Sequence, residues 1–245
     1  MPSNQAWANL QLDIITCDRC PRLRTHCQAV AAEKRAAFRE WDYWGKPLPN
    51  LGDASARLLV VGLAPAAHGG NRTGRMFTGD RSGDFLFRAM HEAGFANQPN
   101  SDHKDDGLKL IDAAITGVAH CAPPGNKPTP LELSTCATFL ERTIDLMPDL
   151  RCFFALGRIA FDACLRTYRS RGWLPGGARP VFAHGAAYHF PEAPSLVASF
   201  HPSQQNTFTG RLTPAMMRSA FVTARGIVDQ TSAKGQATRT AARRS

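Results

Sequence analysis

Three loops of this 245-residue chain carry the side chains best suited to chemistry on a flat, polar, partly anionic ligand. The first, GLAPAAHGGNRTGRMFTGD from Gly62 to Asp80, combines small residues that permit close backbone approach (Gly62, Ala64, Gly69, Gly70) with two arginines, one aromatic and one carboxylate. Phe77 can stack on a planar ring, Asp80 is the loop's only carboxylate, and Arg72 and Arg75 can meet phosphates. The plainer readings are that Phe77 covers the start of the next helix and that Asp80 caps it. In the second loop, HCAPPGNKPTP, Asn126 offers a donor and an acceptor side by side, the pattern that reads the edge of a heterocycle. On the residues alone a turn after Gly125 is the favoured reading of Asn126, and Lys127 is either a phosphate contact or a solvated charge. The third loop, HPSQQNTFTG, releases His201 from an apolar run, where an imidazole can stabilise charge on a departing group. Ser203, Gln204, Gln205 and Asn206 beside it either enter a groove or form an exposed turn.

The cysteines are the second candidate group. Cys17-x-x-Cys20 is a short chelating pair, and Cys121 and Cys136 lie far downstream. Two close thiols and two distant ones can converge on one metal site, and zinc or a four-iron cluster both suit four thiolates. Cys152 and Cys164 sit on apolar faces and read as core residues. Cys27 is ambiguous and reads as a spare thiol.

Strands and helices must bring these loops together. Leu58 to Gly62 reads as a buried strand, followed by a helix from Ser82 to Ala93 that Gly94 stops. Ala113 to Ala119 is a second strand. Thr129, Pro130 and Glu132 then form an N-cap, a first-turn proline and a capping box for a helix that ends by Pro148. Cys152 to Leu156 is a third strand, leading at Gly157 into a helix through about Tyr168. Leu196 to Phe200 is a fourth, and Thr213-Pro214 starts a last helix. Val181 to Phe190 is a candidate edge hairpin. This order predicts an α/β fold, a three-layer α/β/α sandwich around a central four-stranded parallel sheet. Ligands of such sheets sit at the carboxyl ends of the strands, here the loops after Val61, Ala119 and Phe200. Residues 1–228 are expected to form a single domain and 229–245 a disordered basic tail.

Composition sets outer bounds. The net charge of +9 favours polyanionic partners. No apolar run reaches membrane-spanning length, and MPSNQAWANLQLDIIT lacks the basic start and apolar core of a secretory signal. A soluble protein of a reducing cytoplasm is expected, where seven cysteines call for a role other than disulfides.

GLAPAAHGGNRTGRMFTGDRSGD, Asn126 with Lys127, HPSQQNTFTGRLTP and the four-cysteine pattern together resemble the uracil-DNA glycosylase superfamily. Within it, the type B branch, the fifth family of bacteria and archaea, is the most similar. The resemblance runs from Cys17 to the last helix. It implies hydrolysis of the N-glycosidic bond of uracil in DNA, and of other deaminated bases such as hypoxanthine, to leave an abasic site. It also implies a structural [4Fe–4S] cluster on Cys17, Cys20, Cys121 and Cys136, stacking of Phe77 on an extruded base, reading of that base by Asn126 and stabilisation of the leaving base by His201. Gly62 and Ala64 would line the base pocket, and Arg72, Arg75, Lys127, Ser203, Gln204, Gln205, Asn206 and Arg211 would contact DNA. Many superfamily members carry Asp, Asn or Glu where this chain has Ala64, so Asp80 becomes the leading candidate to orient water or stabilise the sugar cation. The protein would be a monomer at the nucleoid. A non-catalytic iron–sulfur nucleic-acid-binding protein is the alternative. A nucleotide- or flavin-binding redox protein is weaker, because the first loop fits neither GxGxxG nor GxxxxGK[ST].

Overall fold

The run Leu58-Leu59-Val60-Val61 is apolar on both faces, a pattern suited to a strand covered on both sides. In the computed structural model it forms β1 (Leu58–Gly62), buried along its whole length. The structure describes the backbone of residues 4–241 and the side chains of residues 4–230. Ahead of β1 lie α1 (Asn4–Ile15) and α2 (Pro21–Glu33). After it come a short α3 (Gly70–Thr73), α4 (Arg81–Glu92), β2 (Ala113–Gly117), α5 (Pro130–Asp145), β3 (Cys152–Leu156) and α6 (Arg158–Ser170). The chain closes with β4 (Ala187–Phe190), β5 (Ala193–Ser199), a short α7 (Gln204–Phe208) and α8 (Pro214–Ala241). The expected tail from Asp229 onward lies largely outside the described side chains. Among the described residues, no helix is long and apolar enough to cross a membrane.

Alternate residues of β1 face two cores. Leu58 and Val60 pack with Leu86 and Met90 of α4 and Phe221 of α8. Leu59 and Val61 pack with Leu140 and Ile144 of α5 and with Phe161 and Tyr168 of α6. Helices therefore cover both faces of the sheet, giving three layers. Local signals set the helix starts: Thr129 Oγ1 accepts from the Glu132 N–H at 3.2 Å while the Glu132 carboxylate accepts from the Thr129 N–H at 2.7 Å.

The sheet corrects the expectation of four parallel strands. It has five, in the order β2-β1-β3-β5-β4, and is mixed. β2, β1, β3 and β5 are parallel, whereas β4 pairs antiparallel with β5, Ala187 opposite Val197. Only Pro191 and Glu192 separate these two strands, too short a link for a parallel crossover, so the pair must be a hairpin. Sequential connections leave β1 toward β2 and then return to β3 on its other side. The crevice at that reversal is where such sheets bind ligands.

A buried ion pair braces the long loop after β1. Arg75 Nη2 lies 2.6 Å from Asp106 Oδ2, with both side chains at most 7% exposed. Burial alone would raise the Asp106 carboxyl, but the Arg75 guanidinium and the N–H groups of Leu108 and Asp102 outweigh it and hold the pKa at about 2. A carboxyl held low in the fold contributes stability that is full above its unfolded pKa of about 4 and lost as pH falls through about 2. That linkage amounts to about 2 kcal/mol. Asp106→Asn is expected to cost about 3 kcal/mol at neutral pH because it leaves a buried guanidinium uncompensated. In urea unfolding, the gap to wild type should narrow as pH drops from about 4 toward about 2. A pH-independent gap would remove the ion pair from the account.

Candidate active site

The carboxyl ends of β1, β2 and β5 border a cavity of about 560 Å³. Its lining includes Gly62, Ala64, Phe77, Asp80, Asn126, His201, Ser203, Gln204 and Gln205. Residues from all three expected loops thus meet in one place.

Phe77 is held in a left-handed conformation, φ +52°, which is uncommon for a bulky side chain and persists only where its surroundings enforce it. Its ring crosses the end of β1 so closely that a Cβ on Gly62 would sit 2.8 Å from ring carbon Cζ. Gly62 is therefore glycine for the sake of the aromatic wall. The Phe77 and His201 rings lie with centroids 6.0 Å apart and planes 35° apart, leaving both beside the cavity.

Asp80 is the N-cap of α4, its Oδ1 accepting from the Gly83 N–H at 3.0 Å. The capping and pocket readings of this residue thus coexist. Burial raises its carboxyl pKa, the N–H groups of Gly83 and Ser82 pull it back, Asp84 adds to the rise and Arg72 opposes it. His201 follows β5 directly. Its carbonyl accepts from Asn206 Nδ2 at 2.8 Å, and burial pushes its imidazole down to about 4, so the ring is neutral near pH 7. Asn126, also left-handed at φ +57°, ends the short turn Pro124–Asn126 and is exposed at the cavity rim.

Other expected contacts lie elsewhere. Arg72 and Arg75 are buried and turned into the protein: Arg72 donates to the carbonyls of His68 and Gly79, and Arg75 pairs with Asp106. Their expected role at phosphates is corrected on that ground. Asn206 braces the His201 loop. Lys127 and Arg211 are exposed outside the lining, Arg211 lying 4.6 Å from the centre of the Phe200 ring. The sequence reading missed Arg81, exposed at the mouth and 5.2 Å from the Phe208 ring, as well as Met76 and Thr116 in the wall. Arg81 directly follows the capping residue, and that position was the available signal.

The cysteines require the largest correction. Cys17, Cys20, Cys121 and Cys136 border one narrow cavity of about 20 Å³. As their side chains stand, however, they fall into two packing groups. Cys121 packs with Cys27, Leu23 and Ala122, with Cys20 against them, whereas Cys17 and Cys136 lie against Leu10, Ile14 and Phe139. The hydrogen bond with Cys27, and then burial, push the Cys121 thiol well up; burial pushes Cys136 up to about 11 and also raises Cys20. Among the described residues, no group of three or more His, Cys, Asp or Glu is arranged to hold a metal ion. The expected [4Fe–4S] cluster, its zinc counterpart and the iron–sulfur and metal-binding assignments are corrected accordingly.

A five-stranded mixed sheet with helices on both faces, and with Phe77, Asp80, Asn126 and His201 around one cavity beyond its strand ends, is the frame in which the family is met. The chain belongs to the uracil-DNA glycosylase superfamily, whose family model matches residues 49–225. Among its relatives, the type-5 uracil-DNA glycosylase of Mycobacterium leprae is 48% identical over 216 residues, covering 86% of this chain and 91% of the relative. That of Thermus thermophilus is 47% identical over 212 residues, 86% and 94% of the two chains. That of Pyrobaculum aerophilum is 42% identical over 200 residues, 82% and 84%.

Proposed function

We propose that the chain is a monofunctional DNA glycosylase that hydrolyses the N-glycosidic bond of uracil, and of other deaminated bases such as hypoxanthine, leaving an abasic site. The observation that carries this reading is the convergence of Phe77, Asp80, Asn126 and His201 on one cavity at the strand ends. A base inside a duplex must first be extruded, at a cost of a few kcal/mol. The cavity, about 560 Å³, has room for a nucleoside. Phe77 stacks on the extruded base, and Asn126 at the rim hydrogen-bonds its edge.

As the C1′–N1 bond breaks, its electron pair passes to the base and positive charge develops on the sugar. His201, neutral near pH 7, serves the base as a hydrogen-bond donor. Asp80, as carboxylate, faces the sugar cation and the water that forms the new C1′–O bond. The water's proton finally neutralises the departed base. Ala64 supplies no polar group at the start of the first loop, so this work falls on Asp80. Exposed Arg81, Gln204 and Gln205 border the cavity, exposed Lys127 in the second loop and Arg211 at the end of the third lie outside its lining, and these are the side chains available to the DNA. The alternative of a non-catalytic iron–sulfur binder lacks support: it leaves Asp80 and His201 without work, and no metal-holding group stands among the described residues.

The test is incubation with a labelled uracil-containing duplex followed by alkali. Strand scission at the uracil is the expected result. Retention of the duplex without an alkali-labile site would overturn the reading.

A further inference from the structure

Arg72 is a buried cation that the proposed chemistry leaves without work. It is 3% exposed and makes no ion pair among the described residues, the Asp80 carboxylate acting on its charge only from beyond ion-pair contact. Arg75, three residues on, is by contrast neutralised by Asp106. The Arg72 guanidinium sits in the corner made by two nearly perpendicular rings, their planes 80° apart, 3.9 Å from the Phe38 ring centre and 4.0 Å from that of Trp41. Nε donates to the His68 carbonyl at 2.8 Å and Nη2 to the Gly79 carbonyl at 2.7 Å, while Nη1 is buried with no partner. Burying a charge without a counter-ion is costly, and ring faces and carbonyl dipoles offset only part of that cost. Such an arrangement calls for a specific use.

The surrounding backbone indicates one. Gly79, gripped by Nη2, immediately precedes Asp80. Asp80 Oδ2 lies against Gly69, where any Cβ would collide with it, and the Gly69 carbonyl accepts from the Arg72 N–H at 3.0 Å. One short turn therefore holds both the carboxylate and the peptide that leads into it.

We infer that Arg72 is a positioning residue for Asp80: packed against Phe38 and Trp41, it fixes the Gly79–Asp80 peptide and sets a positive charge that no ion pair neutralises behind the carboxylate. The inference rests on the reading of Asp80 given above. It also assigns work to Phe38 and Trp41, which lie in the segment ahead of β1. The other groups acting on Asp80 are the N–H groups of Ser82 and Gly83 and the Asp84 carboxylate, and Arg81 and His201 share its cavity. Beyond Arg72, the Tyr43 hydroxyl lies 3.1 Å from His68 Nδ1, and burial, then Arg35 and Arg72, lower the His68 pKa, so the His68 ring adds no positive charge there near pH 7.

The experiment measures single-turnover uracil release from about pH 5 to about pH 9 for wild type, Arg72→Met, Arg72→Lys, Trp41→Leu, Asp80→Asn and the Arg72→Met/Asp80→Asn double variant. In Arg72→Met the acidic limb is expected to move up in pH, so the rate falls more on the acidic side than on the basic side. Arg72→Lys keeps the charge and should move the limb less. In the Asp80→Asn background, Arg72→Met should add no pH-dependent effect. A loss by the same factor at every pH would mark Arg72 as merely structural and overturn the inference. If Arg72→Met does not fold, Trp41→Leu decides. Opening one face of the guanidinium to water should move the limb in the same direction, and an unmoved limb there overturns the inference. Wild-type rates in Asp80→Asn would overturn the reading of Asp80 itself, and the inference with it; an inactive Asp80→Asn with an unmoved limb in Arg72→Met overturns the inference alone.

Discussion

Asp80→Asn is expected to slow single-turnover uracil release by about a hundred- to ten-thousand-fold, with little change in binding to a uracil-containing duplex. The substitution is nearly isosteric, and an asparagine oxygen can still accept from the Gly83 N–H at the start of α4, so the cap survives and only the charge is lost. That charge is what the cationic sugar requires. Burial raises the Asp80 pKa, so the ionised side chain works in weakly screened surroundings, and the wild-type rate should decline as pH falls below that raised value. The same shift makes the ionised carboxylate unfavourable to the fold above its folded pKa. The asparagine variant is therefore expected to unfold at a temperature no lower than wild type at neutral pH. A stable variant with a collapsed rate assigns the loss to chemistry. A wild-type rate would end the catalytic role of Asp80.

His201→Ala is expected to reduce the rate by about a hundred- to a thousand-fold, the usual cost of removing one donor aimed at developing negative charge. Burial places the imidazole pKa at about 4, so the ring enters the reaction neutral, and rate changes between about pH 6 and about pH 9 must arise elsewhere. A donor to the leaving base matters less when the base leaves more readily. A 5-fluorouracil substrate, whose anion is more stable, should therefore suffer a smaller loss in the variant than uracil does. Equal losses on both substrates would show that His201 does not serve the departing base.

The parts of this fold written in short-range chemistry were legible in the sequence. β1 and β3 are apolar on both faces and fall at Leu58–Gly62 and Cys152–Leu156, the runs that predicted them. The capping box at Thr129 and Glu132 marked the start of α5 for the same local reason. β4 was less visible because its residues are only partly buried, and an edge strand need not carry a continuous apolar run. Of the site, Phe77, Asp80, Asn126 and His201 were named from residue type and place beside a strand end. The backbone of Phe77 was not readable, since its positive φ is imposed by tertiary contacts. Arg72 and Arg75 were misread because arginines among glycines ordinarily face water; here Phe38, Trp41 and Asp106, distant in sequence, draw them inward. The four cysteines erred in the opposite direction. Their spacing suggested one coordination shell, and packing divides them between two apolar groups.

The inward turn of those two arginines bears on how tightly a nucleic acid would be held in salt. A protein gains affinity for DNA by releasing condensed counter-ions, and only side chains that reach phosphates release them. Arg72 counts toward the formal charge of +9 but is walled inside the loop it braces, whereas Arg75, Arg57 and Arg225 are paired with Asp106, Asp112 and Asp229, which already offset them in that sum. The thermodynamic charge presented to a duplex is therefore smaller than the formal one. Salt sensitivity should follow the fewer cations that face outward, Arg81, Lys127 and Arg211 among them.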